Sequence, residues 1–414
     1  MRLGSASLWP VKRAALLVSI VVALTACVTP ASREGGPPPP RGKSMEEYLR
    51  EAPPAEQAPP EGMVPADAMK LHAIDVGQGT ALLVEFPCAA VLVDAGGEQN
   101  EQFDSVPVLI EYLDQFFARR TDLRRTISLL VVTHPHIDHT RGLEAVLGRY
   151  PVRNVVDNGD VRDDIGGKPQ LALHAWLSKR RKKVGHLDLA RSDIAGEDGL
   201  SGPVLDPVGP CKASQVNPSL RALWSGDLGR EEIGQNPNND SVVLRVDFGE
   251  ASLLLPGDLE LLAIARMVKR YEKKPELLDA DVFVVPHHGS RNSSTLDLVR
   301  RVSPEVAIIT AGPYDRYLQT EEEYTARAFG HPNQVAIDHL LAKGGVSGRR
   351  ATPIEAWIGV RGRWKEKKSE FARRTIDRAI YSTGWDGHVV VTANARGWIE
   401  VTTSKASAAP QANR

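Results

Sequence analysis

The stretch "VVTHPHIDHTRGL", residues 131–143, puts His134, His136, Asp138 and His139 into six consecutive positions directly after an apolar run. The chain holds 11 histidines in 414 residues, so three on one turn beside a carboxylate is a concentration that a solvated polar turn does not need. A strand holds its ends rigidly, and the loop leaving it can aim several side chains at one point. His134 and His136, two apart in an extended loop, can face the same way. Asp138 and His139 open the next helix, where the helix dipole favours aspartate. Imidazoles with a carboxylate suit a divalent transition metal, and four such donors this close can serve two ions.

Two more clusters follow apolar runs. "LLLPGDLE", residues 253–260, ends a strand with Asp258, a carboxylate of the kind that can bridge two ions. "FVVPHHGS", residues 283–290, ends another with His287 and His288. Taken singly, Asp258 reads equally as the N-cap of a helix over "LELLAIA", and the histidine pair as a capped turn. Their joint presence, each just past a strand, favours chemistry.

Around these clusters the chain alternates strands and helices. "KLHAIDVGQGTALLVEF" and "AAVLVDAGG" read as a hairpin-like pair of strands separated by "PC". "VPVLIEYLDQFFARR", residues 106–120, has helical apolar spacing and a basic end. Strand "ISLLVV" and helix "RGLEAVLGRY" follow, and residues 160–237 are mixed and polar. Strands return with "SVVLRVDF", "ASLLLPGD", "ADVFVVPHHGS" and "EVAIITAG", interleaved with helices "LELLAIARMVKRYEKK", "STLDLVRRV" and "NQVAIDHLLAKGG". "GHVVVTANARGWIEVTT" closes as a hairpin. Hairpins framing each half predict an α/β fold of two sheets face to face with helices outside, rather than one doubly wound sheet.

The N-terminus reads as a targeting segment. Arg2, Lys12 and Arg13 precede "AALLVSIVVAL", residues 14–24, the length of a signal-peptide core and short for a membrane span. "LTAC", residues 24–27, resembles a bacterial lipoprotein cleavage box with Cys27 as acyl acceptor. Residues 1–26 are then a signal peptide and 27–67 a Pro-rich tether, in which "SMEEYLREA" suggests a brief helical turn. A domain over 68–405, with insertions near 160–237 and 313–380, precedes a polar tail at 406–414. The expectation is an exported protein anchored through lipidated Cys27, with Val28 pointing to the outer membrane, facing the periplasm or cell surface. Cys88 and Cys211 read equally as a disulfide or as two buried thiols. The formal net charge of −1 excludes recognition of polyanions by bulk charge and leaves it to local patches.

HxHxDH at 134–139, with "VLVDAGG" before it and "LPGD" and "PHHGS" after it, resembles the metallo-β-lactamase superfamily. More narrowly, "IDVGQGTALLVEF", "NNDSVVLRVDFG", "LLLPGDLE", "VVPHHGSRNSS" and "GHPN" resemble the hydrolase domain of ComEC-type DNA-uptake proteins, and more distantly phosphorylcholine esterases. The resemblance implies an αββα sandwich with the site at one edge. It implies His134 and His136 on a first divalent metal, Asp138 and His139 on a second, Asp258 bridging, and one of His287 or His288 completing the set. Asp94 would orient a ligand imidazole, while Asn238, Ser241, Ser290 and His331 match positions that shape the rim or contact substrate. The family's isolated third-motif histidine has no clear counterpart; Asp157 or Asp160 could stand in, and His174 and His186 lie nearby in the insertion. Thr80 and the proline of "PGD" depart from the family's usual residues at positions read as touching no ligand. The resemblance implies zinc first, with manganese or iron compatible, and a hydroxide generated at the dinuclear site that attacks a phosphodiester.

Nucleic acid or a phosphate-bearing envelope polymer is the expected substrate. "SKRRKK", residues 178–183, and the basic interval 348–374 with Trp357 and Trp364 could follow a phosphate backbone, or could be a solvated insertion. "IYSTGWDG" departs from a simple turn and hints at an elaborated rim. A lactam, lactone or other ester is the alternative substrate, and a catalytically silent surface binding protein the alternative of another class. Beyond the N-terminus no segment is long and apolar enough for the membrane channel that accompanies ComEC domains, so DNA transport by this chain alone is not expected.

Overall fold

The computed structural model describes residues 67–405 except 161–165, 190–193, 195–196, 212–213, 215, 227–235, 315–323 and 362–368. The expected signal peptide, Cys27, the tether with its helical turn, Trp364 and the tail lie outside the described residues.

Two sheets pack face to face. The first has eight strands in the order β16-β15-β1-β2-β3-β4-β5-β6. It contains β1 Ala68–Ala73, β2 Leu82–Phe86, β3 Ala89–Val93, β4 Leu129–Val132, β5 Asn154–Asp157, β6 Gly185–Asp188, β15 Val389–Asn394 and β16 Ile399–Thr403. The second has six, in the order β14-β11-β10-β9-β8-β7. These are β7 Ser219–Trp224, β8 Val243–Phe248, β9 Ala251–Leu255, β10 Val282–Val284, β11 Val306–Ile309 and β14 Ile380–Ser382. A separate ribbon pairs β12 Arg349–Arg361 with β13 Glu370–Arg378.

Alternation within each strand builds two cores. In β3, Ala89, Val91 and Val93 face the second sheet, whereas Ala90 and Leu92 face outward. The outer layer is helical: α1 Ser105–Arg119, α2 Ile137–Thr140, α3 Leu143–Arg149 and α4 Lys168–Ser178 cover the first sheet. Because both faces are buried, the central strands read as unbroken apolar runs. The other helices are α5 Leu261–Arg270, α6 Leu296–Val302, α7 Ala326–Phe329, α8 Gln334–Leu341 and α9 Thr383–Asp386. Leu298, Val299, Ile337 and Leu340 from α6 and α8 join the core of the second sheet.

Three expectations change. The run 70–86 is two strands, because Gly77 and Gly79 take φ of +76° and +143° and turn the chain between β1 and β2. The unassigned insertion 160–237 supplies α4, β6 and β7. "IYSTGWDG" is β14 followed by α9, capped by the Ser382 side chain. The cysteine question is settled as well: Cys88, in the β2–β3 turn, is disulfide-bonded to Cys211 across 123 residues.

One buried charge cluster braces the first sheet. Arg120, 1% exposed, donates to Glu85 Oε1 at 2.5 Å and to the carbonyls of Phe86 and Pro87, and His72 Nε2 lies 3.1 Å from Glu85 Oε2. Burial pushes the Glu85 carboxyl up, but His72 and Arg120 outweigh it and hold the group below its usual 4.5. Its stabilising contribution is therefore present above that value and is lost as pH falls through the depressed pKa. Glu85→Gln is expected to destabilise the fold by about 1–3 kcal/mol, since it removes the one charge shared by buried His72 and Arg120 while Asp122 still holds the guanidinium at 2.8 and 2.9 Å. Urea unfolding at pH 7 and pH 4 checks both points: the variant loses stability at pH 7 and shows less acid sensitivity.

Candidate metal centre

Every strand that feeds the centre does so from its C-terminal end. Asp94 follows β3, the HxHxDH segment follows β4, Asp258 follows β9, the histidine pair follows β10 and Thr310 follows β11. β3 and β4 are parallel, as are β9, β10 and β11, so these ends gather at one edge, between the two sheets. Open α/β sheets place ligands at such strand ends.

The HxHxDH segment is clamped by two glycine loops. The Asp138 carbonyl accepts from Thr80 N at 2.9 Å and Gly97 N at 3.0 Å, and the His139 carbonyl from Ala95 N at 2.9 Å. A Cβ on Gly96 would stand 1.6 Å from the Asp138 oxygen. The "VGQGT" and "DAGG" motifs are therefore the seat of the loop. Thr80, expected to touch no ligand residue, holds the backbone of one.

Four side chains converge. Donor atoms of Asp138, His139, Asp258 and His288 all lie within 4.8 Å of one another. His139 Nε2 is 3.2 Å and His288 Nε2 3.4 Å from Asp258 Oδ2, and His288 Nε2 is 3.2 Å from Asp138 Oδ2. His139, Asp258 and His288 are buried. Asp258 is not the helix cap: Glu260 takes that place at α5, and Asp258 N is bound instead by Ser241 Oγ at 3.0 Å.

Hydrogen bonds fix which imidazole nitrogen faces the centre. His288 Nδ1 lies 2.8 Å from the Thr310 carbonyl, which can only accept, so Nδ1 carries a proton and Nε2 is the nitrogen turned to the centre. His139 Nδ1 is held likewise by Asp94 Oδ2 at 2.7 Å. Asp94 also accepts from Thr133 N and Thr133 Oγ1, both at 2.7 Å. His288 is thus the member of the pair turned inward. His287 Nε2 stands 4.0 Å from Asp258, with its side chain 20% exposed and its Nδ1 3.4 Å from Glu260 Oε1. Both histidines have positive φ, 50° and 54°, a conformation that L-residues adopt at a cost.

The electrostatics suit a cation. Burial opposes ionisation of Asp258, but His139, His288 and His287 hold it well below the usual carboxylate range. Burial depresses His139 and His288, yet the carboxylates win: Asp258 and Asp94 lift His139 well above its usual value, and Asp258 and Asp138 lift His288 to about 9. Two buried carboxylates attract positive charge from whatever source is present, and nitrogen and oxygen donors with fixed tautomers match a divalent transition metal.

His134 and His136 stand beside this set and outside its 4.8 Å circle. His134 Nε2 is 3.1 Å from His136 Nδ1 and 3.9 Å from Asp258 Oδ2. Asp157 does not join them. Its oxygens face His174 Nε2 at 3.1 Å and His186 Nε2 at 2.8 Å, because Val156 occupies the face between the sheets and Asp157 alternates to the helical side. Among the rim candidates, Ser241 Oγ lies 3.4 Å from His134 Nδ1, Asn238 donates to Glu260 at 2.8 Å, and Ser290 Oγ donates to Asn292 at 2.5 Å. His331 packs against His287 and His288, with ring centroids at 5.8 and 6.0 Å, and meets Gln78 Nε2 at 3.2 Å. Sequence reading missed Thr133, Thr310, Gln78 and Glu260. Thr133, Gln78 and Glu260 sit inside motifs quoted above and Thr310 at the end of a strand run, but nothing in their residue type singled them out.

Among the described residues of the basic hairpin, several cations are paired. Arg349 pairs with Asp377, Arg350 with Asp386 and Arg374 with Asp338, and Arg373 lies over the Trp357 ring at 5.0 Å. It abuts the rim, since Gly359 N donates to the Pro332 carbonyl at 2.9 Å. In the segment 178–183, Lys179, Arg181, Lys182 and Lys183 are exposed.

Comparison with known proteins agrees with this geometry. The chain is 28% identical over 258 residues to ComE operon protein 3 of Bacillus subtilis (strain 168), covering 59% of this chain and 28% of that protein. It is 26% identical over 294 residues to competence protein ComA of Neisseria gonorrhoeae, covering 69% and 34%. With uncharacterized protein YcaI of Escherichia coli (strain K12) it shares 26% identity over 255 residues, 61% and 26% of the two chains. The chain spans about a third or less of the length of these curated relatives. The family model described as Lactamase_B, Metallo-beta-lactamase superfamily, matches residues 74–312, and the chain belongs to that superfamily.

Proposed function

We propose that the chain is a metal-dependent hydrolase of phosphodiester bonds, acting on nucleic acid or a phosphate-bearing envelope polymer. The observation that carries this reading is the converging set Asp138, His139, Asp258 and His288, with both imidazole tautomers fixed by partners behind them. These residues would hold one divalent cation, zinc by preference for its donor set, and His134 and His136 with Asp258 would hold a second. Bound there, divalent cations supply Lewis acidity toward a phosphoryl oxygen and acidify water.

The protein's own groups do the rest. Asp94 and the Thr310 carbonyl keep His139 and His288 aimed, so no reorganisation is needed during turnover. His287, at the mouth of the centre, is placed to move a proton at Nε2 on the substrate side. Burial, against the pull of Asp258, lowers its pKa from the usual imidazole value and favours the neutral ring. The preference for phosphodiesters draws on the competence proteins among the relatives and on exposed basic side chains at 179–183.

We also propose export and lipid anchoring through Cys27. The Cys88–Cys211 disulfide suits an oxidising compartment. No helix among the described residues is long and apolar enough to cross a membrane.

The test uses purified protein loaded with zinc or manganese and assayed on bis-p-nitrophenyl phosphate, plasmid DNA and nitrocefin. Metal-dependent cleavage of the first two, lost on chelation and restored by metal, is the expected result. Cleavage of nitrocefin alone would replace the phosphodiester reading with a lactam one. Bound metal with no turnover of any substrate would replace it with a binding protein.

A further inference from the structure

We infer that Asp157, His174 and His186 form a second metal site, separate from the Asp258 centre, that takes a zinc-class divalent cation and pins α4 to the edge of the eight-stranded sheet. The inference does not depend on the proposed hydrolase activity. Three secondary-structure elements contribute one donor each: β5 the carboxylate, α4 and β6 the imidazoles. Their donor atoms lie within 4.8 Å of one another. Both imidazoles aim Nε2 at the same carboxylate, Oδ1 for His174 at 3.1 Å and Oδ2 for His186 at 2.8 Å.

Position separates this cluster from the centre already described. Val156 points between the sheets, whereas Val155 packs with Leu173 and Leu177 of α4 in the outer core. Asp157 shares that outer side and is fully buried, while the side chains of His174 and His186 are 22% and 30% exposed. A cation therefore has an open approach from solvent and a buried anion to meet. Among the described residues neither Nδ1 has a hydrogen-bond partner, so both rings are free to carry the proton there and present Nε2 as a lone pair.

The chemistry narrows the ion. Two imidazoles and one carboxylate match zinc, and calcium or magnesium would require a shell of oxygens. Three protein donors leave a fourth position that water would fill. A metal bound only by the folded arrangement of its ligands contributes to folding directly. Here the metal would fasten a helix to β5 and β6, at the edge of the sheet.

The competing account is a metal-free clamp in which both imidazoles donate N–H to Asp157. Metal content of the full chain separates the two. The variants are His174→Gln/His186→Gln, whose amides still donate to Asp157 and spare the buried carboxylate, His186→Gln alone, and Asp258→Asn. After dialysis against micromolar zinc, mass spectrometry is expected to find one equivalent fewer in the double variant than in the wild type. Asp258→Asn keeps that equivalent, and its zinc-induced rise in melting temperature disappears when His186→Gln is added. Unchanged turnover of any active substrate by the double variant places the lost ion away from the catalytic centre. Equal zinc content in wild type and folded double variant overturns the site. If the double variant does not fold, the melting response of Asp258→Asn with and without His186→Gln decides, and equal responses overturn it. The count is read whether or not a substrate is found, so failure of the hydrolase reading leaves it intact.

Discussion

Asp258→Asn is expected to lower kcat/KM on bis-p-nitrophenyl phosphate by about a thousandfold, roughly 4 kcal/mol of transition-state stabilisation. The size follows from its position. Asp258 Oδ2 lies within 4.0 Å of ring nitrogens from His134, His139, His287 and His288, so among the described residues it is the carboxylate they share. The amide keeps the volume and removes the charge that would bind both cations. The catalytic metal should be lost with the activity, while circular dichroism stays native because the backbone N still meets Ser241 Oγ. Asp94→Asn supplies the contrast. It disturbs the aim of His139 and the bonds Asp94 accepts from Thr133 without removing a converging donor, and outer partners of this kind cost about 10–100-fold in metal affinity or activity. Turnover and metal content unaffected by Asp258→Asn would remove the basis of the proposed function.

Gly96→Ala should prevent stable folding, with a loss above about 4 kcal/mol, in the range reserved for direct backbone clashes. An added methyl would sit 1.6 Å from the Asp138 carbonyl oxygen and 2.5 Å from the His139 Cα. Neither atom can retreat, because the Asp138 oxygen is held by Thr80 N and Gly97 N, and the His139 oxygen by Ala95 N. Whatever protein remains soluble should have lost its metal, since the clamp and the donors share two residues. Gly148→Ala is the control: it lies in α3 with nothing within 4 Å of the added carbon, and gains about 0.5–1 kcal/mol from reduced chain entropy. Urea unfolding of the pair measures both. A folded Gly96→Ala protein of ordinary stability would contradict the clamp.

Much of the fold was legible because its signals are local. "ISLLVV", "SVVLRVDF" and "EVAIITAG" are apolar runs too short for core helices, and each is a buried strand with a loop at its end. The helix over 106–120 differs from α1, Ser105–Arg119, by one residue at each end. The insertion was opaque for a reason equally local: α4 has weak apolar spacing, and β6 alternates between half-buried and exposed positions, so neither shows the contrast that marks an element.

The candidate site divides along the same line. Sequence by itself determined the two-sheet class and picked out the candidate donors, because a metal-binding loop needs its histidines and carboxylates contiguous with rigid strand ends. Tertiary structure alone decided the rest: that His288 faces inward and His287 outward, that Asp157 turns to His174 and His186, that Cys88 meets Cys211, and that Thr310 and Glu260 serve the centre. Those outcomes depend on where a backbone carbonyl points, on which face a strand residue takes at its last position, and on segments more than a hundred residues apart in the case of the cysteines. None of these is a property of residue type alone; the metal centre and its partners arise where the two sheets meet, and the Asp157 cluster where α4 packs on the outer face of the first sheet.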